Sequence, residues 1–579
     1  MSQPPHQHEH LAAYFCMEFA LHEEFPIYSG GLGVLAGDAI KSAGDLKLPL
    51  VAVGLFWNEG YTTQRIDADG RPYDEYPPCP AEHTRDTGVR ISVDVAGEEV
   101  RCRVLLVDKY GNAPLYLLDP EAPEQRWITR RLYGGGARDR VAQEILLGVG
   151  GVRALRALGL PVTVYHFNEG HAVFAGLELM REHMQSPSAP LDFEAALEAT
   201  RAVCVFTTHT PVPAGNETHP GELLLELGAN LHLGAAELEA LGGEPFGMTV
   251  AGLRLSRRAN AVAALHGDTS RGMWKAVTGA APITSITNGV HPGTWQDERI
   301  RGAMRGEDSM WDAHHALKRA LVHEVWRRTG TRLDGGKLLI GFARRAAAYK
   351  RADLILRNSA RIEQRLLSGD VQLLFSGKAH PRDDAGKEIV ANLVAMARRY
   401  PGSVVFLENY DMSIGRLLTR GCDVWLNNPR RPLEASGTSG MKAAMNGVLN
   451  LSVLDGWWPE GCAHGVNGWQ IGGGYEPEGQ TPAEHEAQDQ HDMQALYDVL
   501  EREVVPTFYA DRARWIAMMR ASVEMAEVRF SSHRMVQQYF TELYRMDAEL
   551  RPTVSVDAQA AGTGMVVRGG AEGEVVRAL

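Results

Sequence analysis

The feature that most constrains the fold is a segment of small residues enclosed by two strand-like runs. Residues 434–447 read EASGTSGMKAAMNG, and apolar runs at 424–426 and 448–454 lie on either side. Small residues between two such runs predict a tight loop, with a helix beginning near Met441. The segment therefore predicts a strand, a loop, a helix and a second strand in close succession.

The loop has the composition of a phosphate site. Backbone N–H groups of Gly437, Thr438, Ser439 and Gly440 converge at the predicted start of the helix, where a phosphate is readily bound. Lys442 follows one turn later, at the same mouth. A phosphate cradle beside an amine that can form a Schiff base is what pyridoxal phosphate requires. An ordinary strand–loop–helix turn with a surface lysine is the alternative at this point.

The whole segment carries a family resemblance. With Leu-Asn-Asn-Pro before it and Leu-Asp-Gly-Trp-Trp after it, it closely resembles the pyridoxal-phosphate segment of the α-glucan (glycogen, starch and maltodextrin) phosphorylases. Lys442 falls where that family carries its cofactor lysine, although Ser439-Gly440 replaces the Gly-Asn of many members. The resemblance covers roughly residues 12–550. It implies a pyridoxal phosphate cofactor whose 5′-phosphate exchanges a proton with the substrate phosphate. It also implies reversible phosphorolysis of α-1,4-glucan, with retention, to glucose 1-phosphate.

A second glycine-rich turn follows the first strand-like run, at 14–19. Gly30, Gly31 and Gly33 open a predicted helix that ends near residue 46, and such a turn allows an anion to approach the helix end. Tight packing of helix on sheet explains the glycines equally well. The resemblance implies that the N–H groups of Gly31 and Leu32 bind the substrate phosphate. A strand at 50–56 completes a Rossmann-like unit.

Several later runs also end in polar residues, and open α/β sheets bind ligands at such strand ends. The resemblance implies that His171 lies near the sugar, that the backbone carbonyl of His209 faces it, and that Asn288 hydrogen-bonds it. From the residues alone, His171 and His209 fit structural roles and Asn288 fits an Asn-Gly turn. Asn260 and His266 fall on a run, 259–267, that resembles a further family segment and that we predict to be helical.

A basic cluster follows the strand predicted at 338–342. Arginine forks bind phosphate oxygens in pairs and lysine adds a point charge, while a solvated basic helix face is the alternative reading. The resemblance assigns the residues of the site as follows: catalytic, Arg345, Lys350 and His209; cofactor-binding, Lys442, Thr438, Gly437, Ser439, Arg344 and Tyr410; substrate-binding, Gly31, Leu32, Asn288, Glu434, Ser436 and His171.

A chain of 579 residues is too long for one hydrophobic core. We predict an α/β fold with two Rossmann-like domains that face each other across a cleft, which the resemblance identifies as the GT-B architecture. The first domain spans 12–333 and includes β-hairpins within 60–130; the second spans 334–530. A helix at 531–550 crosses back, an exposed loop covers 475–490, and 1–11 and 551–579 are loose tails.

Charge and cysteine usage exclude some classes of protein. The net charge of −13 argues against a general nucleic-acid binder. Six scattered cysteines without metal-ligand spacing predict free thiols in the reducing cytoplasm and no metal site. No apolar run reaches 18 residues, so no membrane span is predicted.

Two rival functions remain to be weighed. A nucleotide-sugar glycosyltransferase such as a glycogen synthase would share the fold but would need no cofactor lysine, so Lys442 argues against it. A glucan-binding protein without chemistry would not need Lys442, Arg345, Lys350 and His209 together. The expected partners are α-glucan or maltodextrin, inorganic phosphate and glucose 1-phosphate, with a homodimer as the expected assembly. Because the chain begins close to its first strand, we expect a constitutive enzyme that AMP does not regulate.

Overall fold

The computed structural model describes residues 10–212, 215–306 and 309–545. The tails predicted at the two ends fall largely on 1–9 and 546–579, which lie outside the described residues, although Leu11 already belongs to the first strand. The described residues up to Tyr544 belong to one compact unit. The boundary predicted near residue 334 lies inside this unit, and the division into two domains stays a prediction.

Most strands belong to two large sheets. In chain order the strands are β1 (Leu11–Phe15), β2 (Leu50–Leu55), β3 (Thr63–Ile66), β4 (Pro72–Glu75), β5 (Arg85–Val95), β6 (Glu98–Val107), β7 (Leu115–Pro120), β8 (Val162–Asn168), β9 (Cys204–Thr207), β10 (Thr218–His219), β11 (Phe246–Gly247), β12 (Arg258–Ala261), β13 (Ile283–Ser285), β14 (Leu338–Ala343), β15 (Val371–Ser376), β16 (Val404–Leu407), β17 (Val424–Asn427), β18 (Leu449–Val453) and β19 (Gly468–Ile471).

The first sheet has the order β13-β12-β9-β8-β1-β2-β7-β6-β5. Its strands from β13 to β7 are parallel. A hairpin within the region 60–130, where hairpins were predicted, consists of β5 and β6 and extends the sheet in antiparallel fashion beyond β7. The strand order reverses between β1 and β8. Ligands of open parallel sheets bind at such a reversal, outside the carboxyl ends of the strands.

The second sheet has the order β16-β15-β14-β17-β18-β19 and is parallel throughout. This is the strand order of a doubly wound dinucleotide-binding fold, and its reversal lies between β14 and β17. Strands β14, β15 and β18 are buried at every position, as expected for strands with helices on both faces. Two short hairpins, β3–β4 and β10–β11, complete the strand pairing.

Helices connect these strands. They are α1 (Gly31–Asp45), α2 (Ala137–Ile145), α3 (Gly151–Ala157), α4 (Phe174–Met184), α5 (Phe193–Val203), α6 (Gly221–Leu227), α7 (Ala235–Gly242), α8 (Met248–Arg254), α9 (Ala264–Trp274), α10 (Pro292–Trp295), α11 (Glu298–Arg305), α12 (Met310–Thr329), α13 (Ser359–Ser368), α14 (Asp384–Arg399), α15 (Met412–Gly421), α16 (Ser439–Ala444), α17 (Trp458–Gly461), α18 (Pro482–Val499), α19 (Val505–Ala510), α20 (Arg512–Arg529) and α21 (Ser532–Gln538). In the described part of the chain, no helix combines the length and the apolar character that a membrane crossing needs.

Two sequence-based assignments gave the wrong kind of element, and the first strand, predicted at 14–19, lies at Leu11–Phe15. The run 259–267 is not one helix, because Arg258–Ala261 forms β12 in the first sheet and α9 begins only at Ala264. A short apolar run cannot be assigned to helix or strand from its periodicity. The loop predicted at 475–490 ends at Thr481, which caps α18 in a capping box with Glu484. The Thr-Pro-x-Glu pattern carries that signal.

The chain returns to the first sheet near its described end. Hydrophobic side chains of α21 and of the π-helical segment Tyr539–Leu543 belong to the same core as β1, β2 and β8. The hydroxyl groups of Ser42 on α1 and Ser532 on α21 lie 2.5 Å apart. The last helix therefore packs on the helix that follows the first glycine-rich turn.

Candidate active site

A cavity of about 550 Å³ lies where the carboxyl ends of the two sheets face each other. Every residue that the sequence analysis assigned to the site lines it, namely Gly31, Leu32, His171, His209, Asn288, Arg344, Arg345, Lys350, Tyr410, Glu434, Ser436, Gly437, Thr438, Ser439 and Lys442. These residues follow β1, β8, β9, β13, β14, β16 and β17. The fold thus brings into one space groups that are up to 411 positions apart, from Gly31 to Lys442.

The glycine-rich turn before α1 is held by a buried carboxylate that the sequence analysis missed. Glu18 accepts hydrogen bonds from the backbone N–H groups of Ser29 at 2.5 Å and of Gly30 at 3.2 Å. The hydroxyl group of Tyr133 donates to the same carboxylate at 2.8 Å. A Cβ atom at Gly33 would lie 2.6 Å from Glu18, so glycine is required there. The next N–H groups, those of Gly31 and Leu32, lie at the start of α1. The first N–H groups of a helix have no acceptor within the helix, so these two can bind a ligand.

Glu434 connects two of the predicted phosphate ligands. Its Oε2 atom accepts from Lys350 Nζ and from Arg344 Nη2, each at 2.8 Å. Burial alone would raise the pKa of Glu434, but the charges of Arg344 and Lys350 lower it to about 2. Arg344 also donates to Asn427 at the end of β17. The cluster therefore holds two cations and one permanent anion, while Arg345 is exposed to the cavity.

Lys442 lies in α16 and is buried, with 5% of its surface exposed. Its Nζ atom is 3.9 Å from the centroid of the Trp295 indole ring. Within the described residues, Nζ makes no hydrogen bond or ion pair. Burial lowers the pKa of this amine to about 8. A substantial fraction of the amine is therefore unprotonated just above neutral pH, the state in which it is a nucleophile.

Contacts in the loop before Lys442 account for serine at position 439 and glycine at position 440. The hydroxyl group of Ser439 accepts from the indole N–H of Trp425 at 3.2 Å. A Cβ atom at Gly440 would lie 2.5 Å from Asn450 Oδ1, and Asn450 itself donates to the carbonyl oxygen of Gly440 at 3.0 Å. The packing around Asn450 therefore favours glycine at position 440. Gly437 has φ of +83°, which also favours glycine.

Three of the predicted sugar ligands carry buried polar atoms without a hydrogen-bond partner in the described part of the chain. They are His171 Nδ1, Asn288 Oδ1 and Ser436 Oγ. The backbone of Asn288 is fixed at both ends, since its N–H donates to Val262 at 3.0 Å and its carbonyl accepts from Arg534 at 3.0 Å. These side chains therefore have hydrogen-bonding capacity that a polyhydroxylated ligand could satisfy.

His209 is a neutral, positioned histidine. Its Nε2 atom lies 2.5 Å from Asn168 Oδ1, and its backbone N–H donates to Glu169 Oε1 at 3.0 Å. Burial lowers the pKa of His209 to about 3. The ring is therefore uncharged near neutral pH. Glu169 also accepts from the Thr210 hydroxyl at 2.7 Å, so this carboxylate shapes the turn after β9.

Other lining residues were missed by the sequence analysis. Lys378 follows β15 and donates to the carbonyl oxygen of Thr62 at 2.8 Å, and burial lowers the pKa of its amine to about 8. Arg140 and Glu217 form an ion pair at 2.9 Å beside His171. The sequence did carry a signal for Lys378, because this residue follows the parallel strand β15 just as Arg344 follows β14. Arg140 comes from α2, and no local pattern indicates it.

Comparisons with known proteins identify relatives of this chain. A family model described as carbohydrate phosphorylase matches residues 303–459. The chain is 41% identical to a maltodextrin phosphorylase of Thermococcus litoralis, over 93% of this chain and 70% of that protein. It is 40% identical to a glycogen phosphorylase of Mycobacterium bovis, over 95% of this chain and 72% of that protein. It is 34% identical to a glycogen phosphorylase of Aquifex aeolicus, over 91% of this chain and 85% of that protein.

Proposed function

The chain belongs to the carbohydrate phosphorylase family, and on that premise we propose that it is an α-glucan phosphorylase. The reaction transfers the terminal glucosyl unit of an α-1,4-glucan to inorganic phosphate, which gives glucose 1-phosphate and a glucan that is one unit shorter. The observation that carries the proposal is one cavity lined by a buried lysine amine, a cation cluster and polar atoms that have no hydrogen-bond partner among the described residues.

Pyridoxal phosphate is the cofactor of this proposal, and the residues fit it. Lys442 offers a buried amine without a hydrogen-bond partner among the described residues, and its pKa of about 8 suits covalent attachment. Gly437, Thr438 and Ser439 line the same cavity and would hold the cofactor phosphate, with Arg344 and Tyr410 beside it. When bound, the cofactor supplies its 5′-phosphate as a proton donor and acceptor for the substrate phosphate.

The substrate phosphate would bind between the two sheets. Arg345 and Lys350 supply positive charge from the second sheet, and the N–H groups of Gly31 and Leu32, in the first turn of α1, approach from the first. Two phosphates in one site repel each other, so one of them holds its proton more tightly and can act as an acid near neutral pH. The cations offset that repulsion and stabilise the charge that develops in the transition state.

The sugar would lie between Asn288 and His171, which follow strands of the first sheet, and Ser436, which follows β17 of the second. Asn288, His171 and Ser436 offer hydrogen-bonding groups to its hydroxyl groups, and the fixed backbone of His209 faces it. Because His209 is neutral, we assign it no proton transfer. The glycosidic oxygen takes a proton from the substrate phosphate, the bond between this oxygen and the anomeric carbon breaks, and the shortened glucan leaves. An oxygen of the phosphate then bonds to the anomeric carbon with retention. Substrates bound between the two walls of the cavity would displace water that otherwise competes for the sugar.

A cytoplasmic location and a homodimer also belong to the proposal. All six cysteines are unpaired, and five of them are buried, as expected for a protein of a reducing compartment. The homodimer is carried over from the family resemblance.

The first experiment measures the cofactor. Purified wild-type protein is expected to release about one equivalent of pyridoxal phosphate, and its intact mass after borohydride reduction is expected to include the cofactor. Lys442→Ala should retain no covalently bound cofactor. Lys275→Ala, in which an exposed lysine is removed, serves as the matched control and should behave as wild type.

The second experiment measures the reaction. Incubation with maltodextrin should release glucose 1-phosphate only when inorganic phosphate is present. A wild-type protein that takes up no pyridoxal phosphate after reconstitution, and releases no glucose 1-phosphate, would contradict the proposal. Transfer from a nucleotide sugar under the same conditions would then favour the glycosyltransferase alternative.

A further inference from the structure

A buried carboxylate lies across the Trp295 ring from the proposed cofactor lysine. Asp38, on α1, is 1% exposed, and both of its carboxylate oxygens accept from the indole Nε1–H of Trp295, at 2.8 and 2.9 Å. The face of the same indole lies 3.9 Å from Lys442 Nζ. Trp295 thus contacts a carboxylate at its edge and an ammonium group at its face, both removed from water.

We propose that Asp38 is a positioning residue for the cofactor: acting with Trp295, its charge orients the Lys442 amine and sets the pH at which that amine captures pyridoxal phosphate. This inference rests on the proposed function, since it concerns the same lysine. Asp38 lies on α1, which follows β1 of the first sheet. The other residues proposed for the cofactor site follow strands of the second sheet; they are Lys442, Thr438, Gly437, Ser439, Arg344 and Tyr410.

The electrostatic argument has two opposing parts. Burial favours the neutral amine and lowers the pKa of Lys442, whereas the negative charge of Asp38 favours the ammonium form and raises it. In the other direction, burial raises the pKa of Asp38, and Lys442 gives the largest of the nearby charges that lower it. The two groups therefore stabilise each other's charged forms, because charges removed from water interact strongly.

Other charged groups near this pair already have partners. Those on the surrounding elements are Lys41 with the carbonyl oxygen of Leu21 and with Thr294, His291 with Asp45, Arg416 with Glu23, Arg420 with Asp297, Glu527 with Gln296, and Arg344 with Glu434. Lys41 and His291 do act on Asp38, and both lower its pKa. On Lys442 itself, Asp38 is the charge that counteracts burial.

The neutral amine is the form that reacts. Its lone pair attacks the aldehyde carbon of pyridoxal phosphate, a water molecule leaves, and a C=N bond forms. The rate of capture therefore rises with pH through the pKa of the Lys442 amine. A change in that pKa shifts the midpoint of the rate–pH profile, whereas a purely structural defect would lower the rate at every pH without moving the midpoint.

The test uses apoprotein mixed with pyridoxal phosphate between pH 6 and 10, with borohydride trapping and intact mass as the readout. In Asp38→Asn the amide oxygen can still accept from Trp295, but the charge is gone. We expect its midpoint to lie about one pH unit below that of the wild type, a tenfold lower proton affinity of the amine. Asp268→Asn, which removes an exposed carboxylate of α9, should keep the wild-type midpoint, and Asp38→Glu should move the midpoint back towards it.

The outcomes separate the two proposals. Capture in wild type and Asp38→Asn with the same midpoint would overturn the role of Asp38 and leave the phosphorylase proposal intact. A wild type that captures no cofactor at any pH would overturn both. If Asp38→Asn fails to fold, Asp38→Ser removes the same charge with a smaller side chain that retains an oxygen acceptor, and the same downward shift is expected; an unchanged midpoint there overturns the role of Asp38.

Discussion

Replacing Glu434 by glutamine should tighten the binding of inorganic phosphate, although Glu434 is itself proposed to bind substrate. Its Oε2 atom holds Lys350 and Arg344 at 2.8 Å in the free protein. A phosphate that binds Lys350 competes with this carboxylate for the positive charge of the same ammonium group. Glutamine is a weaker competitor, because its amide oxygen carries no net charge.

The size of the change in phosphate affinity follows from the strength of the contact between Glu434 and Lys350, which competes with phosphate. A hydrogen bond to a charged group contributes about 1.5–3 kcal/mol, and a neutral acceptor retains about half of the strength of a charge-assisted pair. The variant therefore weakens the competing contact of Lys350 by about 0.75–1.5 kcal/mol. This corresponds to a phosphate Kd that is about 4- to 13-fold lower.

Titration calorimetry of inorganic phosphate into cofactor-loaded protein measures this Kd directly. Glu476→Gln is the matched control, since Glu476 pairs with Arg431 at 2.9 Å outside the cavity and its loss should leave phosphate binding unchanged. For maltodextrin we expect a lower kcat/KM in Glu434→Gln, because a charged acceptor for a sugar hydroxyl group is lost. An equal or weaker phosphate affinity in Glu434→Gln, with a normal control, would refute the reasoning.

Three further substitutions test the surroundings of the site. Asp423→Asn leaves Lys318, which is 2.5 Å away and fully buried, without its counterion, and should lower the unfolding free energy by about 3–5 kcal/mol in urea; a loss below 1 kcal/mol would contradict this. Gly456→Ala places a Cβ atom 2.2 Å from the carbonyl oxygen of Ser436, where φ is +58°, and should raise KM for maltodextrin and lower Tm, whereas unchanged values would refute the close packing. Burial raises the pKa of Asp455 to about 8, so the native protein holds a proton that the unfolded chain loses at lower pH. This group should therefore lower the unfolding free energy by about 1.4 kcal/mol for each pH unit between pH 5 and 7, and Asp455→Asn should lack this contribution. Urea unfolding at both pH values measures it, and an equal pH dependence in wild type and variant would contradict the prediction.

The sequence predicted the parts of the site that follow parallel strands. Lys442, Arg345 and His209 each come after an apolar run, and a parallel sheet directs such positions to one edge. Short buried runs, small-residue loops and basic clusters leave clear local patterns. For the same reason most strands were located to within one to three residues, while β12 was misassigned because a strand of four residues is too short to show a distinct period.

The remaining parts could not be predicted because they depend on side chains that meet only in the folded protein. Glu18 and Asp38 look like ordinary acidic residues beside a glycine-rich turn, and only the packing shows that one holds the turn and the other faces Trp295. The neutral state of His209 is likewise a result of burial and of its contact with Asn168. None of these features has a spacing that a sequence could reveal.

The return of the last helix to the first sheet has a consequence for synthesis on the ribosome. In the centre of the first sheet, His166 Nδ1 lies 2.8 Å from the Tyr544 hydroxyl oxygen, and Arg257 donates to the Tyr544 carbonyl at 2.7 Å. The first sheet is translated early, but these partners emerge only after the whole second sheet has been made. Closing so long a loop adds little free-energy cost, since the cost grows only with the logarithm of length. It does impose a waiting time, during which the nascent first sheet exposes an unfinished apolar face to chaperones and to other chains.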